Sequence, residues 1–198
     1  MDGLPAKMGE EIRPRGNNRR AAVLDAAAYR FRRQGYAATT MRDIASDAGM
    51  LAGSLYYHFP SKSALLLAVH EEGVRRIADA VDVAVSGASV IDPWQRLEAG
   101  LAAHLQSLLG GGDYAQVVIR DLPAEDPALR AKLIALRDNY ELRFKMLVEA
   151  LPLARGDDVA WIRLLLLGAA NWSKTWYRED GASPAEIAHH FIRLVRAR

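Results

Sequence analysis

The stretch Tyr36-Ala37-Ala38-Thr39-Thr40-Met41-Arg42-Asp43-Ile44-Ala45-Ser46-Asp47-Ala48-Gly49 leads directly into Met50-Leu51-Ala52-Gly53-Ser54-Leu55-Tyr56-Tyr57-His58-Phe59-Pro60-Ser61-Lys62. Thr40 followed three residues on by Asp43 reads as a helix start of capping-box type, with Asp in place of the usual Glu. Ile44, Ala45 and Ala48 give that helix a small apolar face. Gly49 suits the left-handed conformation of a sharp helix exit. A second short helix follows and must stop before Pro60, because the residue ahead of a proline is driven towards extended angles. Two short helices joined by a glycine-containing turn form a helix-turn-helix.

On the second helix, Leu55 and Phe59 lie four apart and so on one side, where they can pack on Ile44 and Ala48. Ser54, Tyr57 and His58 fall together on another side, flanked by Tyr56. That outer side carries no Leu, Ile or Val and no acid, only groups able to bond phosphates or base edges. Gly53 leaves room for a DNA backbone or a neighbouring helix. Two aromatics and a histidine would equally cap a small core, and short helix-loop-helix units arise by chance, so this segment alone leaves both readings open.

Taken whole, the string resembles the amino-terminal domain of the TetR family of repressors, whose pattern runs G-(Y/F)-x-x-T-T-x-x-x-I-A-x-x-A-G-V-S-x-G-x-L-Y-x-H-F-x-S-K-x-x-L. Gly35, Tyr36, Thr39, Thr40, Ile44, Ala45, Ala48, Gly49, Gly53, Leu55, Tyr56, His58, Phe59, Ser61, Lys62 and Leu65 fit it, over about a quarter of the chain. Leu51 stands where the family usually has a helix-capping Ser, and Ser63 replaces a common Glu. The resemblance implies a sequence-specific DNA-binding regulator, by family default a repressor. It sets Ser54, Tyr57 and His58 at the major groove, with Arg42 within reach of a base edge, and puts Thr40, Tyr56 and Lys62 on phosphates.

Upstream, Asn17 or Asn18 would cap a first helix with Ala21, Leu24, Ala28 and Phe31 at helical spacing, stopped by Gly35. Residues 1–16 hold two prolines and scattered charge without a period, and read as a flexible basic arm. Lys7, Arg13 and Arg15, with Arg19 and Arg20 at the helix start, are placed to follow phosphates or enter the minor groove; a solvated tail is the alternative. Residues 1–62 carry ten Lys/Arg against six Asp/Glu, a balance of +4, and residues 63–198 carry sixteen against eighteen, a balance of −2, which together make the chain's +2. One end therefore attracts phosphate and the other does not.

At 198 residues the chain has room for this unit, residues 17–62, and a larger helical domain over residues 63–198. Ser61 caps a fourth helix through Leu66, Val69, Ile77 and Val81 to near Gly87. Asp92-Pro93 opens a fifth with Trp94, Leu97, Leu101, Leu105 and Leu108, stopped by Gly110-Gly111-Gly112. A short sixth spans Tyr114 to Asp121. Asp126-Pro127 starts a seventh, striped with Leu129, Leu133, Leu136, Tyr140, Phe144, Leu147 and Leu151, until Pro152 and Gly156 break it. An eighth runs from about Asp158 to Tyr177, and Ser183-Pro184-Ala185-Glu186 is a full capping box opening a ninth. No period-two alternation is sustained, so the fold class is all-α. Nine helices in this order resemble the TetR architecture over the whole chain.

Without cysteine there is no disulfide, thiolate metal site or thiol catalysis, and a reducing cytoplasm is the natural compartment. No signal-peptide pattern opens the chain, and its longest apolar run, Leu164 to Ala170, is far short of a membrane span. The five histidines, His58, His70, His104, His189 and His190, include no pair three or four apart as helical metal ligands would be. The triple glycine lacks the Lys-Ser/Thr of a phosphate loop. With no constellation for hydrolysis, transfer or redox chemistry, neither an enzyme nor a cofactor is expected.

Trp161 to Ala170 is apolar nearly all round, as in a doubly buried helix. The resemblance implies that the last two helices pair with their copies as a four-helix bundle; Trp161, Leu165, Gly168, Ile187, Phe191 and Leu194 are the candidates for that homodimer seam, and a monomer core is the alternative. It also implies an effector pocket between the fourth, fifth, seventh and eighth helices. Candidates for its lining are Leu101, His104, Leu105, Phe144, Asn171 and Trp172, each of which ordinary core packing would also explain. Asn171 is a polar amide inside an apolar helix, and buried amides need partners. Residues 168–178 are similar to family members that sense acyl-coenzyme A or steroid-type lipid intermediates, which points to a small, largely apolar effector.

Overall fold

The computed structural model describes residues 15–197 apart from 89–91, 111, 121–122, 124 and 154–158, with side chains from Arg19 onward. Helix α1 spans Arg15–Ala38 and is broken at Gly35, where φ is +81°. The basic arm expected over residues 1–16 lies outside the described residues up to 14, while residues 15 and 16 already belong to α1. Neither Asn17 nor Asn18 is therefore the cap; both sit inside the first turns. Val23 and Ala27, with Leu24, Ala28 and Phe31, form the buried face of α1, and Ala21 is exposed. The real stripe is one residue out of step with the part of it that Ala21 suggested.

Helices α2 (Met41–Asp47) and α3 (Ala52–His58) follow. Between them Gly49 takes φ +65°, which an L side chain rarely adopts. Leu55 is fully buried and Phe59 is 5 % exposed, so these two anchor α3 as their spacing predicts. Ser61 then accepts from the Ala64 amide at 3.0 Å and opens α4 (Lys62–Gly87).

The remaining helices are α5 (Pro93–Leu109), α6 (Asp113–Val118), α7 (Pro127–Glu149), α8 (Val159–Trp172) and α9 (Pro184–Arg196), with a short 3₁₀ turn over Ser173–Thr175. Among the described residues there is no strand. Asp92 and Asp126 cap α5 and α7 ahead of their prolines, and both halves of the Ser183/Glu186 capping box are made. Helix α6 is shorter than its sequence signals suggested, and α8 gives way to the 3₁₀ turn before Tyr177. Helix α5 lies at the centre, packed chiefly on α4 and α9. Gly73 of α4 permits the close crossing of α6, since a Cβ there would come within 2.6 Å of Val118 and 3.1 Å of the Tyr114 carbonyl.

Two apolar cores result. One belongs to the bundle and is built on Leu97, Leu101, Leu105, Phe144, Ile162 and Leu166. The other begins with α1–α3 but does not stop at Lys62: it takes in Leu65 and Val69 of α4, Tyr114 and Val117 of α6, and Leu129 and Leu133 of α7. The helix-turn-helix is thus bedded on three helices of the larger domain.

Candidate nucleic-acid interface and ligand cavity

Thr40 builds the entrance to the reading head. Its hydroxyl accepts from the Asp43 amide at 3.2 Å and donates to the Asp43 carboxylate at 2.6 Å. That hydroxyl, with the Thr40 backbone, holds the Asp43 carboxyl below the usual range. Helix α3 starts at Leu51 with no side-chain cap, and Leu51 itself is 80 % exposed. Tyr57 projects from the outer face at 89 % exposure, with Ser54 and Tyr56 also exposed. His58 is half-buried, its ring meeting Tyr57 edge-on at 5.6 Å. A Cβ at Gly53 would touch nothing in the chain, so no internal packing demands glycine there. Arg42 and Arg19 are exposed, and Arg20 lies over the Phe59 ring at 5.4 Å.

Lys62 is engaged within the chain. Its ammonium donates to the carbonyls of Tyr36, Ala37 and Thr39 at 2.8, 3.2 and 2.9 Å and lies 4.4 Å from the centre of the Tyr36 ring. Three N–H groups meet three acceptors at the end of α1, where orphan carbonyls favour a cation. Lys62 thus clamps α4 to the end of α1, a contact that the expected phosphate grip did not include.

A cavity of about 390 Å³ lies among α4, α5, α7 and α8, closed on one side by α6. Val74, Ile77, Leu108, Leu133 and Leu167 supply its apolar wall, with His70, His104, Tyr140, Asn171, Trp172 and the cations Arg120, Arg137 and Lys174. Three of the six pocket residues expected from sequence line it: His104, Asn171 and Trp172. The other three, Leu101, Leu105 and Phe144, are fully buried core side chains behind that wall. A helix stripe does not say which of its members abut a void and which abut another helix. His70, Tyr140 and the three cations were missed. The only sequence signal for the first two was a polar group on an otherwise apolar stripe.

His104 is the hinge of the polar lining. Tyr140 hydroxyl lies 2.6 Å from its Nδ1, and Asn171 Oδ1 lies 3.2 Å from its Nε2. An amide oxygen only accepts, so Nε2 carries the hydrogen and Nδ1 accepts from Tyr140. Burial drives the imidazole pKa down to about 4 and pushes the Tyr140 phenol up, so both stay neutral. Arg120 donates to the Phe31 and Arg32 carbonyls of α1, and Lys174 to the Ile119 carbonyl at 2.9 Å. Glu141, also in the lining, is closely paired with Arg163. A wider, open depression on the outside of α1 and α2 contains Arg30, but Asp47 already holds that guanidinium by two hydrogen bonds.

Along α8, Trp161, Leu165, Gly168 and Trp172 repeat at spacings of four, three and four, and all are exposed. Trp161 is 69 % and Trp172 66 % exposed, and Leu194 of α9 is 69 % exposed. A contiguous apolar stripe of this kind marks an interaction surface. Ile187 does not belong to it: at 4 % exposure it faces inward with Ala188, Ile192 and Val195, packing α9 on the bundle. Phe191 is half-buried against the same core. The α9 candidates divide by face, Leu194 outward and Ile187 inward.

Residues 23–69 match the sequence profile of bacterial regulatory proteins of the tetR family, and residues 90–198 that of the tetracyclin repressor-like C-terminal domain. The HTH-type transcriptional repressor KstR2 of Mycobacterium tuberculosis (strain ATCC 25618 / H37Rv) is 31 % identical over 191 residues, covering 90 % of this chain and 92 % of its own length. Among solved structures, superantigen PfiT is 33 % identical with a TM-score of 0.75, over 91 % of this chain and 97 % of its own. AibR, in complex with isovaleryl coenzyme A and operator DNA, shares the fold at 23 % identity and a TM-score of 0.76, over 89 % and 97 % of the two chains.

Proposed function

Given that the chain belongs to the TetR family of transcriptional regulators, we propose that it is a homodimeric repressor that leaves a two-fold operator when a small, largely apolar effector of acyl type enters the cavity. The observation that carries this reading is the outer face of α3, where Tyr57 stands almost wholly in solvent while Leu55 and Phe59 hold the helix from behind. A large aromatic at 89 % exposure on a seven-residue helix adds nothing to the core, its ring contact being with the neighbouring His58. It is suited to stacking on or hydrogen-bonding base edges in the major groove. Two such helices must sit one DNA turn apart, about 34–36 Å, or a multiple of it, and the exposed stripe of α8 with Leu194 offers the surface that pairs them.

For the effector, the support is the composition of the cavity: an aliphatic wall beside Arg120, Arg137 and Lys174, which suits an acyl chain ending in a carboxylate, or in a phosphate-bearing carrier such as the coenzyme A bound by AibR. Effector binding favours the conformer whose two heads are wrongly spaced, and weakens DNA binding by its differential affinity for that state. No helix among the described residues is long and apolar enough to cross a membrane.

A gel-shift titration against the DNA flanking the coding region, with and without isovaleryl- and long-chain acyl-coenzyme A, tests both halves. A sequence-specific shift relieved by one of these is expected. Tyr57→Ala should leave folding stability within about 0.5 kcal/mol, as an exposed substitution, yet change the ranking of operator variants. Unchanged relative affinities would remove Tyr57 from specificity.

A further inference from the structure

We propose that the ligand of this cavity carries a hydrogen-bond donor, a hydroxyl, enol or protonated acid, which it delivers to Nε2 of His70. The inference rests on the reading of the cavity as the effector site and adds a requirement on the effector's chemistry.

His70 lies on α4 between the apolar neighbours Leu66, Val69 and Val74, lines the cavity, and is 6 % exposed. Its Nδ1 sits 3.2 Å from the Leu66 carbonyl, one turn back on the helix. A carbonyl only accepts, so the ring hydrogen resides on Nδ1 and Nε2 presents a bare lone pair. Burial holds the ring in its neutral form, so the lone pair stays available. That Nε2 is the one buried side-chain nitrogen or oxygen without a partner among the described residues. Within the lining, His104 is engaged by Tyr140 and Asn171, Glu141 by Arg163, Arg137 by Asp138 and Glu141, and Arg120 and Lys174 by backbone carbonyls. An unpaired acceptor in apolar surroundings is costly, and an aliphatic residue would fill the same space without it. A ligand donor removes the cost, and sites of this kind reject analogues that lack the group far more strongly than they reject a missing methylene.

Dodecanoate and a series of its hydroxylated isomers, with the hydroxyl at successive carbons, form the probe set for the full-length protein, read by calorimetry. One isomer should bind at least about tenfold more tightly than dodecanoate, and its methyl ether should lose that advantage. His70→Phe should abolish the preference, so that the favoured isomer binds that variant no more tightly than dodecanoate does, and His70→Gln, which keeps an acceptor oxygen, should retain part of it. Circular dichroism establishes that both variants fold. Binding of every probe with equal affinity, or a preference that survives His70→Phe, would overturn the donor requirement and leave the effector site standing. Failure of the parent protein to bind any member of the series would overturn the requirement and the acyl-effector reading together.

Discussion

The reading head and the cavity hold their polar side chains in opposite ways. In the head the decisive contacts are local: Thr40 with Asp43 three residues on, and Ser61 with Ala64. Around the cavity they span the chain, with His104 meeting Tyr140 thirty-six positions away and Asn171 sixty-seven positions away. Local contacts are set by helix geometry before any tertiary structure exists. Distant ones exist only once α5, α7 and α8 have packed. The two regions should accordingly respond differently to pH and to substitution.

The largest expected effect lies in the cavity. An unfolded histidine takes up its proton near pH 6.5, whereas His104 in the folded chain resists protonation down to about 4. Its neutral-state contribution is complete above about pH 6.5, is lost as the pH falls from there towards 4, and levels off below. The span corresponds to roughly 3 kcal/mol for this one group. Denaturant melts of the parent and of His104→Leu, compared from pH 7 to 4, isolate it, since His70 and the carboxylates titrate in both. A difference between the two proteins that is flat with pH would show that the imidazole reaches water, and the contrast between buried and local polar chemistry would fail.

Lys62 is the exception inside the head, because its three acceptors lie 23 to 26 residues upstream. Lys62→Met should cost about 1–3 kcal/mol, the range for hydrogen bonds to a charged group after allowance for partial exposure. Thermal melts read that loss. The dependence of DNA affinity on salt should match the parent's; a slope shallower by about one counterion would return Lys62 to the phosphates.

That exception also explains what was legible beforehand. Helix caps at Thr40, Ser61, Asp92, Asp126 and Ser183 are written in adjacent residues, and all are made. Leu55 and Phe59 follow from a spacing of four. The carbonyl partners of Lys62 were not legible, because backbone carbonyls carry no sequence signature. Leu101, Leu105 and Phe144 share helical stripes with residues that do line the cavity, and only the packing of α5 against α4, α7 and α9 separates wall from core. Ile187 and Leu194 differ by seven positions, nominally one face, but seven steps at 100° fall 20° short of two turns. Ile187 is nevertheless 4 % exposed and Leu194 69 %, a division that the spacing alone does not show. The stretch 168–178 carried the right elements for a pocket margin, since Gly168, Asn171, Trp172 and Lys174 all line the cavity.

The smallest effect tests how local the head is. Leu51 occupies the N-cap of α3 with extended backbone, φ −72° and ψ 143°, the geometry of a capping residue, yet it offers no oxygen. At 80 % exposure its side chain loses almost no packing on replacement. Leu51→Ser should therefore supply the missing acceptor for the first-turn amides and stabilise the head by about 1 kcal/mol. For a chain of this size that is a rise of roughly 2–4 °C in melting temperature. Because the head's core runs on through Leu65, Val69, Tyr114 and Leu133, the gain should appear in the main transition. A gain confined to a separate early transition would show that the head melts independently of the bundle, and that its shared core does not couple the two regions.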